Sequence, residues 1–393
     1  MSSSTATTAD PGHSSGQAAQ WSDFPLDAGL ALWNGWTGYL RSAIARGAGP
    51  LEFAEDAAEW WRASTVRAKP TWVTEHTEVL AWPQARLLDF STDTDLLPTL
   101  LLPPQAGHAS TIADYNADQS QVLTARDAGL TNFYVLDWLG ATAETKDSTI
   151  ETYIRIIDES IDHIGGKANL MGDCQGGWLA TIYAALHPEK VNTLLMGGAP
   201  IDYHAGNSAI LDSMQQMKKL GDEMLIYRAL VSLGGGNHLG LSQINGFKLL
   251  EPAEEIKRLS ALWANIADPN YVQRHIDFTN WFEWGQDVPG AFYLWIVEHL
   301  FVNNELVQRK LIVDGTVVDL AAIECPLFLL AGSRDHITPA PQQFALATYA
   351  STPDDAVTTE IVDAGHLGLF MGRSVLRDHW APIFTKVAEL SRT

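Results

Sequence analysis

Cysteine is nearly missing from this 393-residue chain: only Cys174 and Cys325 occur. Two cysteines make no disulfide framework, and no CxxC, HExxH or clustered His/Cys spacing points to a metal. Positive charge is also scarce. Lys and Arg total 25 against 47 Asp and Glu, a net charge of -22, which repels phosphate backbones and anionic headgroups and argues against nucleic acid as a partner. No apolar run approaches the roughly 18 residues of a membrane span. The N-terminal "MSSSTATTADPGHSSGQAAQ" lacks the basic and apolar regions of a secretory signal, so the expected location is the cytoplasm. What the chain does have is a hydrophobic content of 46%, sufficient to fill one large domain with an insertion, or two domains.

Residues 1–22 are Ser, Thr, Ala and Gly with little to bury, and read as a disordered tail. Residues 23–84 carry apolar side chains at helical spacing (Leu30, Trp33, Trp36, Leu40, Ile44) and predict an N-terminal helical segment packed on the domain that follows. From 85 onward short apolar runs alternate with helical stretches, which predicts a mostly parallel α/β sheet. The alternation stops after Pro200 and resumes at "CPLFLLAG". This pattern assigns residues 85–203 and 319–393 to a core, and 204–318 to an inserted, mainly helical cap.

The cysteine at 174 lies in "NLMGDCQGGWLA", between a strand pattern and a helix pattern. A nucleophile on such a turn is held in a strained conformation that needs small residues two positions away on each side. Gly172 and Gly176 occupy those positions, and Gly177 allows close approach of helix to sheet. Elbow enzymes place an acid after a late strand and a base after the last one. Here Asp335 follows "CPLFLLAG" and His366 follows "TTEIVDA", with His336 as a competing base. The residue types predict that His366 takes the Cys174 proton, that Asp335 orients the imidazole, and that the thiolate attacks a carbonyl. The Gln175 backbone N–H is expected to form half of an oxyanion hole, and the loop near 104–112 the other half. Asp173 should disfavour the thiolate unless it turns away. Cys325 reads as a small buried hydrophobe.

These motifs resemble the polyhydroxyalkanoate (PHA) synthase superfamily, which has an α/β-hydrolase fold and a G-x-C-x-G-G elbow. "GDCQGGWLATIYAALHPEKVNTLLMGGAPIDY", "VVDLAAIECPLFLLAGSRDHITP" and "GHLGLF" carry the resemblance, which covers about residues 85–393. It implies Cys174 as acyl-accepting nucleophile with Asp335 and His366 as partners, and no cofactor. It also implies 3-hydroxyacyl-CoA thioesters, or polyhydroxyalkanoate polymers and oligomers, as substrates. Granule association and a homodimer through the cap are expected on the same ground.

The chain departs from synthases in the cap, where "WGQDVPG" keeps Trp284 and Asp287 but lacks the family's Asn and Thr. Trp178, Trp284 and Asp287 are carried as substrate-binding candidates. Trp263, Trp281, Trp284 and Trp295 would line an apolar acyl tunnel or form the core of the cap. Intracellular PHA depolymerases share the triad, so synthesis, hydrolysis and thioester cleavage stay open. A catalytically idle granule binder using Trp33, Trp36 and Leu40 is a third reading.

Overall fold

The computed structural model describes residues 16–218, 221–250 and 252–392. Helix α1 spans Gly16–Arg46 and ends at Gly47, whose φ of +66° terminates it. Helix α2 follows at Pro50–Thr65, with Pro50 in its first turn and the Gly49 amide donating to Glu52 Oε2 at 2.9 Å. Two expectations are corrected here. Residues 16–22 belong to α1 and not to a tail, while 1–15 lie outside the described residues. The helical segment does not reach 84: "TEVLA", with β-branched residues at 77 and 79, pairs as a strand.

That strand is β1 (Thr77–Ala81) of an eight-stranded sheet. The others are β2 (Ala85–Asp89), β3 (Thr99–Leu102), β4 (Phe133–Trp138), β5 (Ala168–Asp173), β6 (Val191–Gly197), β7 (Leu327–Gly332) and β8 (Val357–Val362). Their order is β1-β2-β4-β3-β5-β6-β7-β8, and β2 alone runs against the rest. This is the α/β-hydrolase sheet. The inner strands β3, β5 and β7 are buried along their whole length, as continuous apolar runs in a parallel sheet covered on both faces require. Helices α3 (Gln121–Asp127), α4 (Ile150–His163) and α5 (Gln175–Leu186) supply the crossovers. One core packs Ile150, Ile157, Trp178 and Tyr183 against one face. A second packs Val122, Trp380 and Phe384 against the other.

Between β6 and β7 the chain leaves the sheet for the cap. Its helices are α6 (Ala209–Lys218), α7 (Glu223–Leu233), α8 (Gly240–Leu250), α9 (Pro252–Ala264), α10 (Pro269–Phe282) and α11 (Gly290–Trp295), the last continuing as a π-helical turn over Ile296–Val302. After the cap, α12 (Ala340–Tyr349) and α13 (Ala381–Leu390) complete the core. The N-terminal pair docks on the cap. Gly35 and Gly38 of α1 lie so close to α9 that a methyl group on either would come within 2.8 Å of Ser260 O or Ala264 Cβ. Tyr39 stacks on Trp263 with centroids 4.2 Å apart, and Trp60 Nε1 donates to Leu259 O.

Strand register brings the reacting loops to one edge. Asp173 at the end of β5 is level with Gly197 of β6, and Gly332 of β7 with Val362 of β8. The loops that leave these carboxyl ends therefore start side by side, as ligand-binding loops of open α/β sheets do.

Candidate active site

Cys174 is the turn residue between β5 and α5, with φ 49° and ψ -116°. A β-carbon-bearing residue in that region is strained by about 1–3 kcal/mol, and the surroundings must hold it there. They do so by contact. A methyl on Gly176 would lie 1.8 Å from Leu102 O, one on Gly172 2.4 Å from Gly176 O, and one on Gly177 2.3 Å from Ala199 Cβ. The three glycines thus allow α5 to press against β3, β5 and the loop after β6. The Cys174 amide donates to Gly197 O at 2.9 Å, which fixes the turn from below.

The loops after β7 and β8 bring Asp335 and His366 to this cysteine. Asp335 Oδ1 accepts from the amides of Ile337 and Thr338 at 2.9 and 2.8 Å, leaving Oδ2 to meet His366 Nδ1 at 2.7 Å. Two amide donors orient the carboxylate, and the carboxylate orients the ring. The Cys174 side chain lies close enough to the imidazole to act on its charge. Burial alone would lower the His366 pKa, but Asp335 and Cys174 outweigh it, and the value rises well above that of a free histidine. His336, the competing base, is exposed on the wall of a cavity that also borders Cys174, and the Asp335 carboxylate pairs with His366. The arrangement can move a proton from sulfur to imidazole and stabilise the resulting positive ring.

Asp173 is fully buried. Its carboxylate lies beneath β6, where a methyl on Gly197 would meet Asp173 Oδ1, Trp380 and Phe370 within 2.9–3.2 Å. Neither carboxylate oxygen has a hydrogen-bond partner, and the Gln121 amide approaches without reaching one. Burial pushes this acid up to about 7, with Gln121 and His366 holding it back. Cys325 is half-buried and far from such partners, and burial pushes its thiol up to about 12.

Two cavities meet at Cys174. One, of about 650 Å³, is walled by His108, Ile112, Phe247, Phe278, Trp281 and His366 and has a charged rim that includes Lys248 and Arg258. Those cations are engaged with Glu283 and Glu255. The other, of about 550 Å³, is walled by Trp178, Tyr203, Met214, Leu230, Tyr293 and Ile296. Gln175 lines it too, half-buried at the head of α5. Among the four cap tryptophans only Trp281 borders either cavity. Trp263 is taken up by α1, and Trp295 packs beside Trp178 and His299.

Trp284 and Asp287 border neither cavity, a correction to their reading as substrate contacts. Asp287 Oδ1 accepts from the Gly240 amide and its carbonyl accepts from Ala141, so it ties the cap to the core. Two residues that sequence reasoning missed stand in their place. Tyr203 is buried beside Cys174, and its hydroxyl has no partner. His108 is buried with Nε2 unpartnered and stacks on Trp281 and Phe282, with centroids 5.0 and 5.2 Å away. Burial pushes its pKa down to about 4, keeping the ring neutral. His108 falls in the 104–112 loop already singled out from the sequence. Tyr203 ends "GAPIDY", which carries no local chemical signature.

The family described as "Protein of unknown function (DUF3141)" matches residues 82–391. The chain belongs to that family. DUF3141 sequence from the end of β1 to α13 thus covers both the core and the cap. The chain is 27% identical over 344 residues to the poly(3-hydroxyalkanoate) polymerase subunit PhaC of Haloferax mediterranei, covering 84% of this chain and 67% of the relative. It is 29% identical over 300 residues to the PhaC subunit of Cupriavidus necator, covering 71% of this chain and 48% of the relative. A solved bacterial membrane phospholipase A overlays with a TM-score of 0.48 and 18% identity, over 89% of this chain and 96% of its own. No described helix is long and apolar enough to cross a membrane.

Proposed function

We propose that the protein is an enzyme of cysteine-dependent acyl transfer, acting on 3-hydroxyacyl thioesters or their polyesters in the manner of PHA polymerases. The observation that carries this reading is the Asp335–His366 hydrogen bond set beside Cys174 at the point where two cavities meet. The similarity to PhaC polymerase subunits supports the choice of substrate. No cofactor enters the chemistry, and the CoA thioester is a substrate.

In this reading His366 takes the Cys174 proton as the sulfur attacks the thioester carbonyl. The Gln175 amide and a donor from the loop after β3 hold the oxyanion. The leaving CoA thiolate takes the proton back from His366, and an acyl group remains on Cys174. A second hydroxyacyl unit then gives its hydroxyl proton to His366 as its oxygen attacks, forming the ester and freeing Cys174 sulfur. Transfer needs room for an acyl group and for an acceptor at once, and the two cavities supply it. The unpartnered Tyr203 hydroxyl in the second cavity suits the hydroxyl of a 3-hydroxyacyl chain, since a buried hydroxyl left unpaired costs about 1–3 kcal/mol.

Hydrolysis is the second reading, favoured by the half-open cysteine that water can approach. Incubation with 3-hydroxybutyryl-CoA, following free thiol and acyl fate, separates the two. Oligomer with thiol release supports transfer; free 3-hydroxybutyrate alone means a thioesterase. The Cys174→Ala variant is expected to lose thiol release by about 10⁴-fold or more. Release at the wild-type rate in that variant would overturn the cysteine mechanism.

A further inference from the structure

In the loop after β3 the carbonyls and the amides are in different situations. Trp138 Nε1 donates to Pro103 O at 2.8 Å, and His108 Nδ1 meets Ala106 O at 3.2 Å. The next three carbonyls in succession are held from the cap. The Gln286 backbone amide donates to Gly107 O at 2.9 Å, and Trp281 Nε1 donates to Ala109 O at 2.9 Å. Between them the Gln286 side-chain amide, in the orientation that suits both its neighbours, donates to His108 O and to Trp138 O at 3.2 Å each. One side chain therefore ties this loop to the end of β4. Gln243 of α8 closes over Gly107, whose φ is +80° and where a methyl group would lie 2.9 Å from Gln243 Cβ.

The amides of Gln105, Ala106, Gly107, His108 and Ala109 donate to no group among the described residues, although all five residues are buried. Buried backbone donors are nearly always paired, and leaving one unpaired is costly. A run of them suits an acceptor that arrives with the substrate. Their place agrees, since the Leu102 and Pro103 carbonyls press on the first turn of α5, and Ala106 borders both cavities together with Cys174. A peptide unit is planar and trans, so a carbonyl held from the cap sends the following amide to the opposite side.

We propose that Gln286 is a positioning residue, which holds the carbonyl side of this loop from the cap so that its free amides meet the oxyanion formed on the carbonyl that Cys174 attacks. Gln286 borders neither cavity, so it acts through the loop and not on the substrate. This role rests on the cysteine mechanism above, and it makes the docked cap part of the chemistry as well as a cover. An oxyanion donor has its full effect only when preorganised.

Gln286→Met keeps the size of the side chain and removes its donors. Trp281→Phe removes the indole donor to Ala109, keeps a ring against His108, and serves should the first variant fail to fold. With 3-hydroxybutyryl-CoA, Gln286→Met is expected to lower kcat for thiol release about 10- to 100-fold and to leave KM within about twofold, as for an interaction made only in the transition state. Trp281→Phe is expected to lower kcat in the same way. Alkylation of Cys174 by iodoacetamide needs the thiolate but no oxyanion donor, and is expected to run at the wild-type rate in both variants. Butyraldehyde adds to the Cys174 sulfur as a hemithioacetal with its oxygen among the same amides, and is expected to bind Gln286→Met about tenfold less tightly. Wild-type kcat in both variants overturns the proposal. A loss of alkylation in step with kcat overturns it too, since the residues would then support the triad and not the loop. A wild-type protein that takes up butyraldehyde but releases no thiol from the thioester overturns the substrate reading alone, and the aldehyde then decides: equal affinity in wild type and Gln286→Met overturns the role of Gln286.

Discussion

The elbow at Cys174 and the helix α1 both depend on glycine, for opposite reasons. At the elbow Gly172, Gly176 and Gly177 are pressed against backbone atoms of α5, β3 and β5 and against the Ala199 side chain, and the space a side chain would need is already occupied. On α1, Gly35 and Gly38 bring one face close to α9, while Gly29 on the outer side meets nothing within 4 Å. The first region is determined from all directions and holds a strained residue in place. The second is determined on one side only. A site that must keep a nucleophile within tenths of an ångström is built from the first kind of packing, and a surface that meets partners from the second.

One substitution type breaks this comparison in both directions. Gly176→Ala drives a methyl group into Leu102 O and is expected to cost more than about 4 kcal/mol, read as loss of soluble protein or a large drop in the melting temperature. Next in size is Asp173→Asn. The folded-state pKa of Asp173 is raised to about 7, above the unfolded value near 4, so the native state holds the extra proton between these limits. Wild-type stability is therefore expected to fall as pH climbs from about 4 to about 7, by at most about 4 kcal/mol from this group. The variant should lose that slope and exceed wild type in urea titrations at pH 8. Tyr203→Phe is smaller: about a tenfold loss of kcat/KM for 3-hydroxyacyl over unhydroxylated acyl thioesters, about 1.4 kcal/mol, with little change in melting. A substitution that lowers both substrates equally would remove Tyr203 from hydroxyl recognition. Gly29→Ala, at the other extreme, is expected to stabilise α1 by about 0.5–1 kcal/mol through helix propensity alone, measured by thermal melt.

The residues at the elbow were legible because their chemistry is local: Gly172, Cys174 and Gly176 are consecutive alternate positions, and the strand and helix that frame them read directly from "KANLM" and "GWLATIYAAL". Asp335 and His366 were legible through their place after strand patterns, and the structure pairs them, with His366 beside Cys174. Trp284 and Asp287 misled because a sequence shows an aromatic and a carboxylate but not which neighbour claims them, and Gly240 claims Asp287 from 47 residues away. Tyr203 and His108 were hidden for the converse reason. Their importance lies in unmet hydrogen bonds, which exist only once the cap has closed over them. The strand at 77–81 was missed because five residues beside two long helices give too short a run to show a change of period.

The contact between Gly176 and Leu102 has a consequence for how such a protein changes over generations. Because nucleophile, helix and the loop beyond β3 are clamped together at the carbonyl of Leu102, no single replacement there adjusts one without displacing the others. Novelty must enter elsewhere, through helices α6 to α10, whose side chains wall the cavities and bear far fewer obligations. The elbow is thereby inherited as one indivisible part, while the shape of the cavities is free to drift.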